Sequence, residues 1–144
     1  MTDASVDLAP RYLPAGYHES GIDPAPFGGF TGLTDQVTLI YTTNEGAREP
    51  HRSLQVHFTP TRGQELVATN RRQARIIDLD GHPGHYHDGI TTLVGRNADG
   101  SALVRWQNLA HSITVSTSRG TFAVRAPGEL PYAELLAVTR SLPL

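Results

Sequence analysis

Alternation of apolar and polar positions is the clearest pattern along the chain. Residues 37–43 place Val37, Leu39 and Tyr41 on one side of an extended segment, with mostly threonine on the other side. A period of two with β-branched residues is typical of a half-buried β-strand. We therefore expect a strand over residues 37–43, with these three side chains facing a core.

Residues 53–59 repeat the pattern, with leucine, valine and phenylalanine at alternate positions. We expect those apolar side chains to point inward and the intervening Gln55 and His57 to point outward to solvent. His111 is interpreted in the same way, as an outward position on a later strand.

Further segments with strand character follow in the second half of the chain. They are predicted at residues 65–68, 74–80, 90–94, 103–107, 112–117 and 122–125. Residues 103–107 and 112–117 are predicted to pair as a hairpin. The sequence Asn-Ala-Asp-Gly at residues 97–100 predicts a turn.

The period changes at the end of the chain. Between residues 131 and 142, apolar residues recur at helical spacing, and Pro131 suits the first position of a helix. This pattern predicts a C-terminal helix with one apolar stripe that lies on the sheet.

Strands in regular succession followed by a single helix predict an α+β fold. We expect an antiparallel β-meander, a curved sheet of about six to eight strands, packed by the C-terminal helix. A chain of 144 residues is about the size of one domain. Residues 11–144 are therefore predicted to form a single domain, and residues 1–10 a flexible N-terminal arm.

Composition excludes several classes of function. The net charge of −2 argues against a nucleic-acid-binding surface, which usually needs a basic excess. All 12 basic residues are arginine, so neither a lysine-dependent phosphate loop nor a Schiff-base mechanism is available. The absence of cysteine removes thiol nucleophiles and thiolate metal sites.

The apolar runs are too short for a membrane-spanning helix, so no direct membrane insertion is expected from this chain. Two localisations stay open. The chain is an extracytoplasmic domain if it is a fragment of an anchored protein, and otherwise it is cytoplasmic.

One short stretch carries several potential metal ligands, namely Asp80, His82, His85 and His87. Imidazole nitrogen and carboxylate oxygen are both good ligands for Zn²⁺ and related divalent ions. A divalent metal is therefore the one cofactor that the sequence suggests. The alternative is a solvated hairpin, because Asp, Gly, Pro and His are also ordinary turn residues.

Five aromatic residues could line an apolar ligand cavity if the sheet curves around it. They are Phe27, Phe30, Tyr41, Phe58 and Trp106. The same residues could equally form a dry core.

Three short segments together resemble one family. They are Tyr-Leu-Pro-Ala-Gly-Tyr at residues 12–17, Trp106 in a late strand, and Glu-Leu-Leu-Ala-Val-Thr-Arg-Ser-Leu at residues 134–142. They resemble an uncharacterised bacterial extracytoplasmic domain that is associated with anti-sigma factors and with lipoprotein-carrier-like proteins. The chain has Ala15 where that family usually has an acidic residue, and Thr139 where it usually has a small one.

The resemblance implies a non-enzymatic binding or sensory module of an envelope-associated regulatory or carrier-like protein. Such a module would bind a protein partner or an apolar ligand, and no catalytic residue carries over from the family. The alternative is a divalent-metal-dependent enzyme or metal-binding protein that uses His82, His85 and His87.

Overall fold

The computed structural model describes residues 8–23, 37–43, 53–60, 74–107 and 110–144. For residues 21–23, 90–94, 102 and 104–107 it describes the backbone alone. The predicted strand at residues 65–68 and residues 1–7 of the predicted arm lie outside the described residues.

Within these ranges the backbone forms strands and a C-terminal helix. In chain order they are β1 (His18–Asp23), β2 (Val37–Thr42), β3 (Leu54–Thr59), β4 (Ala74–Leu79), β5 (His82–His87), β6 (Ile90–Arg96), β7 (Ala102–Gln107), β8 (Ala110–Thr117), β9 (Gly120–Pro127) and α1 (Tyr132–Arg140).

Seven of these strands form one open antiparallel sheet in the order β1-β2-β3-β9-β8-β5-β4. Strands β6 and β7 pair with each other as a separate two-stranded ribbon. Helix α1 packs on the sheet through contacts with β8 and β9. The α+β class, the antiparallel sheet and the C-terminal helix are therefore confirmed.

The predicted hairpin of residues 103–107 with 112–117 is wrong. Strand β7 pairs with β6 across the turn at residues 97–100, where the Asn97 amide donates to the Ser101 carbonyl at 2.9 Å and the Gly100 amide to the Asn97 carbonyl at 3.0 Å. Strand β8 pairs instead with β9 and β5. Alternation predicted the strands at residues 103–107 and 112–117 correctly, but the tight turns on either side decided which strands pair.

One face of the sheet carries the apolar core. Its fully buried side chains come from the sheet and from the inner side of α1: Leu39, Leu54, Val56, Leu79, Ile113, Val115, Phe122, Val124, Leu135 and Val138. Fully burying one such side chain stabilises a fold by about 1.5–3 kcal/mol. This set explains why the alternation of residues 37–43, 53–59 and 112–117 is so regular.

The chain near the N-terminus is fastened to the end of α1. Leu8 is buried in the core. The Arg11 amide donates to the Ser141 carbonyl at 3.2 Å, and the Tyr12 amide donates to Oγ of Ser141 at 3.1 Å. These contacts satisfy groups at the helix C-terminus that would otherwise lack partners.

The β8–β9 turn brings Gly120 against the end of β3. Gly120 has a φ of 143°, and a Cβ there would overlap the Thr59 carbonyl and lie 2.7 Å from Cα of Pro60. Neither obstacle is a flexible side chain. Glycine is therefore required at this position by both backbone conformation and space.

Gly120→Ala is expected to lower the free energy of unfolding by about 3 kcal/mol, measured by urea denaturation, because backbone atoms must move apart. Gly100→Ala is the matched control, since Gly100 also has a positive φ but a Cβ would meet nothing within 4 Å. Its cost should be only about 1 kcal/mol. Equal losses in the two variants would contradict the close approach of β9 to β3.

Candidate functional site

The predicted aromatic cavity is only partly covered by the described residues. Tyr41 is buried in the core, and Phe58 is half-buried with its ring centroid 4.7 Å from that of Phe122. Phe27 and Phe30 lie outside the described residues, and Trp106 is described by its backbone alone, on β7. The two described side chains of the set belong to the packed core.

The predicted metal ligands lie on β5 and the turn before it. The rings of His85 and His87 are on the same side of the strand with centroids 6.5 Å apart, but His85 is exposed whereas His87 is buried. His82 pairs with Leu79, and Asp80 occupies the turn with a φ of 55°. Across the described ranges, no three His, Asp or Glu side chains come together as a metal site. The metal hypothesis therefore stays a prediction from sequence spacing.

The face of the sheet opposite the helix is polar, and its centre is buried although Ile76 and His85 near the β4 edge are exposed. Cross-strand register places Gln55, Arg125, Ser112 and His87 in one row across β3, β9, β8 and β5. All four are less than one-tenth exposed. The expectation that Gln55 and His57 face solvent is therefore wrong. They do point away from the apolar core, but this part of the opposite face is buried too.

His57 is the most deeply buried titratable group of that face. Its Nδ1 lies 2.7 Å from Oγ1 of Thr38. Burial, with a smaller contribution from the Arg125 charge, lowers the pKa of His57 to about 3. Burial also lowers the pKa of Arg125 to about 10. His57 is therefore a neutral hydrogen-bonding group at ordinary pH.

A cleft of about 320 Å³ opens where the start of α1 meets β5 and β8. We call it the Tyr86 cleft. It is lined by Tyr86, Asp88, Ala110, His111, Gly128, Glu129, Leu130, Pro131 and Tyr132. Two exposed carboxylates, two phenol rings and a buried imidazole thus converge on one concave surface of the described residues.

Tyr86 is the centre of the cleft. Its hydroxyl oxygen lies 2.9 Å from Nδ1 of His111 and 3.5 Å from Oδ1 of Asp88. The Tyr132 ring meets the Tyr86 ring edge-on, with centroids 4.7 Å apart. The Arg75 guanidinium, from the neighbouring β4, lies 5.5 Å from the Tyr86 ring centroid. Contacts from three directions fix the orientation of the Tyr86 ring.

The two buried titratable groups of the cleft are held neutral. Burial, reinforced by the Asp88 carboxylate, raises the pKa of Tyr86 to about 12. Burial lowers the pKa of His111, while the backbone carbonyls of Leu130 and Pro127 and the Asp88 charge partly oppose that effect. Near pH 7, Tyr86 is therefore a phenol and His111 an uncharged imidazole.

The prediction that His111 faces solvent is wrong, since His111 is only 5% exposed. A signal was present in the sequence. His111 has the same parity as Ile113 and Val115, which form the inward side of β8. The solvent-facing prediction followed from the polarity of the side chain. A histidine can nevertheless be buried when its ring nitrogen has a hydrogen-bond partner such as Tyr86.

Comparison of the chain with protein-family profiles, with curated proteins and with solved structures finds no match. In the described part of the chain, no helix has the length and apolar character of a membrane span.

The low pKa of His57 makes stability depend on pH. The folded pKa of about 3 lies below the ordinary histidine value of 6.5, so the unfolded chain binds the proton more readily between these values. Stability therefore falls as pH falls through this window. Between pH 7.5 and pH 4.5, the free energy of unfolding measured by urea denaturation should fall by about 3 kcal/mol more in wild type than in His57→Asn. Gln55→Met, a neighbour that does not titrate, should leave the pH dependence unchanged. Parallel losses in wild type and His57→Asn would contradict a neutral buried His57.

The Tyr86–His111 hydrogen bond should contribute measurably to stability. Tyr86→Phe leaves Nδ1 of a buried imidazole without its partner, so we expect a loss of about 1–2 kcal/mol in urea denaturation. Tyr132→Phe is the control, because Tyr132 is 41% exposed and its ring is retained. That change should stay within about 0.5 kcal/mol. A Tyr86→Phe variant as stable as Tyr132→Phe would show that the bond contributes nothing.

Proposed function

We propose that this chain is a non-enzymatic binding or sensory module, and that its ligand occupies the Tyr86 cleft. The observation that carries the proposal is the convergence of Tyr86, His111, Asp88, Glu129 and Tyr132 on one cleft of about 320 Å³. A concave site with a few convergent polar groups is the usual form of a small-molecule or side-chain binding site.

The charge states of the cleft favour binding over proton transfer. A general acid or base works best when its pKa lies near the working pH. The pKa of Tyr86 is raised to about 12 and that of His111 is lowered, so both pKa values move away from pH 7. Neutral groups that hydrogen-bond to each other are suited to orienting a ligand.

The resemblance to an extracytoplasmic domain of anti-sigma factors and lipoprotein-carrier-like proteins supports a sensory or carrier role. Under that hypothesis the bound ligand or protein partner would report on the cell envelope. The cleft changes one part of the expectation. Its lining is polar and charged, so it favours a ligand with a polar group over the wholly apolar ligand that the aromatic residues suggested.

Three small probes that differ only in charge test the proposal: benzylamine, benzyl alcohol and benzoate. In two-dimensional NMR spectra of the full chain, at least one probe should shift the backbone amides of Asp88, His111, Leu130 and Tyr132. The shifts should saturate with concentration, because they report one site.

A variant that fills the cleft provides the control. Gly128 lines the cleft in an exposed connection, so Gly128→Trp should weaken binding of the probe by about tenfold or more. Ser118→Trp places the same side chain in the exposed β8–β9 turn and should leave binding unchanged. If no probe moves the cleft amides, or if Gly128→Trp binds as wild type does, the proposed site is wrong.

A further inference from the structure

Tyr86 and Asp88 present hydrogen-bond acceptors to the cleft. The Tyr86 hydroxyl has one proton and two acceptors near it, Nδ1 of His111 at 2.9 Å and Oδ1 of Asp88 at 3.5 Å. We assign this proton to the shorter contact, because hydrogen bonds weaken steeply with distance. The Asp88 carboxylate then keeps its acceptor sites for a ligand, and the phenolic oxygen keeps an unused lone pair.

His111 adds little donor capacity to the cleft. Its Nδ1 accepts the Tyr86 proton, so Nε2 carries the ring hydrogen of the neutral imidazole. Nε2 is buried and makes no regular hydrogen bond to any described residue. Because this nitrogen is buried, its hydrogen is not exposed to a ligand in the cleft.

The charge of the cleft also favours a ligand that donates hydrogen bonds. Asp88 directly follows β5, and Glu129 lies between β9 and α1, so two different connections each bring a carboxylate to the cleft. Both are exposed. A ligand that carries a positive charge would meet two negative charges at short range, whereas a carboxylate or phosphate would be repelled by both.

The aromatic walls also suit a cation. The Tyr86 and Tyr132 rings lie edge-on to each other, with centroids 4.7 Å apart, and the faces of such rings attract positive charge. Arg75 already shows this attraction, since its guanidinium lies 5.5 Å from the Tyr86 ring centroid. Arg75 is also the one described cation in contact with Tyr86, so its charge opposes a cationic ligand.

We propose that the Tyr86 cleft binds a protonated amine. Asp88 and Glu129 pair with the ammonium group, and the rings of Tyr86 and Tyr132 contact the carbon atoms next to it. This inference rests on the proposed function, which makes the cleft a ligand site, and adds the chemical class of the ligand.

Dissociation constants from NMR titration of the full chain test the charge preference. Benzylamine should bind about tenfold or more tightly than benzyl alcohol, which has the same ring and no charge. Benzoate should bind more weakly than either. Raising the salt concentration from 20 mM to 500 mM should weaken benzylamine binding severalfold and leave benzyl alcohol unaffected, because exposed charges are screened.

Variants assign the charge to particular residues. Asp88→Asn and Glu129→Gln should each weaken benzylamine binding about three- to tenfold with little effect on benzyl alcohol. Glu19→Gln removes the same charge on β1, at the opposite edge of the sheet, and should change binding by less than about twofold. Arg75→Met keeps the packing against Tyr86 but removes a like charge, so it should tighten benzylamine binding by about twofold.

A second probe, Nα-acetyl-lysine amide, distinguishes a lysine side chain of a protein partner from a small aromatic amine. Tighter binding of this probe than of benzylamine would identify a lysine side chain of a protein partner as the ligand, and the reverse order a small aromatic amine. Benzyl alcohol or benzoate binding as tightly as benzylamine at the cleft would overturn the inference while leaving the cleft as a ligand site. Failure of every probe to reach the cleft would instead overturn the proposed function.

Discussion

The pairing of β3 with β9 is the contact on which the sheet depends. Strands β1, β2 and β3 form one antiparallel group, and β9, β8, β5 and β4 form another. The register Val56 with Val124 and Phe58 with Phe122 joins the two groups and places their apolar side chains on one face. Because β3 and β9 are far apart in sequence, this pairing also closes a long loop, whose entropic cost the buried core must offset. Gly120 approaches Thr59 and Pro60 closely at the end of this β3–β9 pairing, which we call the seam.

That seam gives the sheet two unlike faces and sets the position of the cleft. The helix contacts β8 and β9 over the apolar face, and the connection from β9 to α1 turns back through a hydrogen bond from the Leu130 amide to the Pro127 carbonyl at 3.0 Å. The pairing of β5 with β8 then brings Tyr86 to the same corner as His111. Function is therefore proposed at the boundary of the core, where apolar packing ends and polar groups from β5, β8 and the connection before α1 meet.

Much of the fold follows from local patterns, and the site does not. Periods of two and of 3.6 predicted β2, β3, β8 and the helix, because one face of each element is apolar. The strand order could not be predicted from the sequence. β7 can form a hairpin with either β6 or β8, and only the turn geometry at residues 97–100 shows that its partner is β6. The buried polar face was missed because Gln55 and His57 alternate with core residues as solvent-facing residues would. The cleft was missed because it joins Tyr86, Asp88, His111 and Glu129, which no sequence spacing relates.

The charge and tautomer of His111 are the most direct test of the acceptors in the Tyr86 cleft, since the assignment of the Tyr86 proton assumes an uncharged imidazole there. Long-range ¹H–¹⁵N NMR spectra of the full chain at pH 7 report both. We predict a neutral ring with its proton on Nε2 and with Nδ1 accepting the Tyr86 hydroxyl. Two equivalent nitrogen shifts, the mark of a doubly protonated ring, would put a positive charge in the wall of the cleft and contradict an amine-binding site.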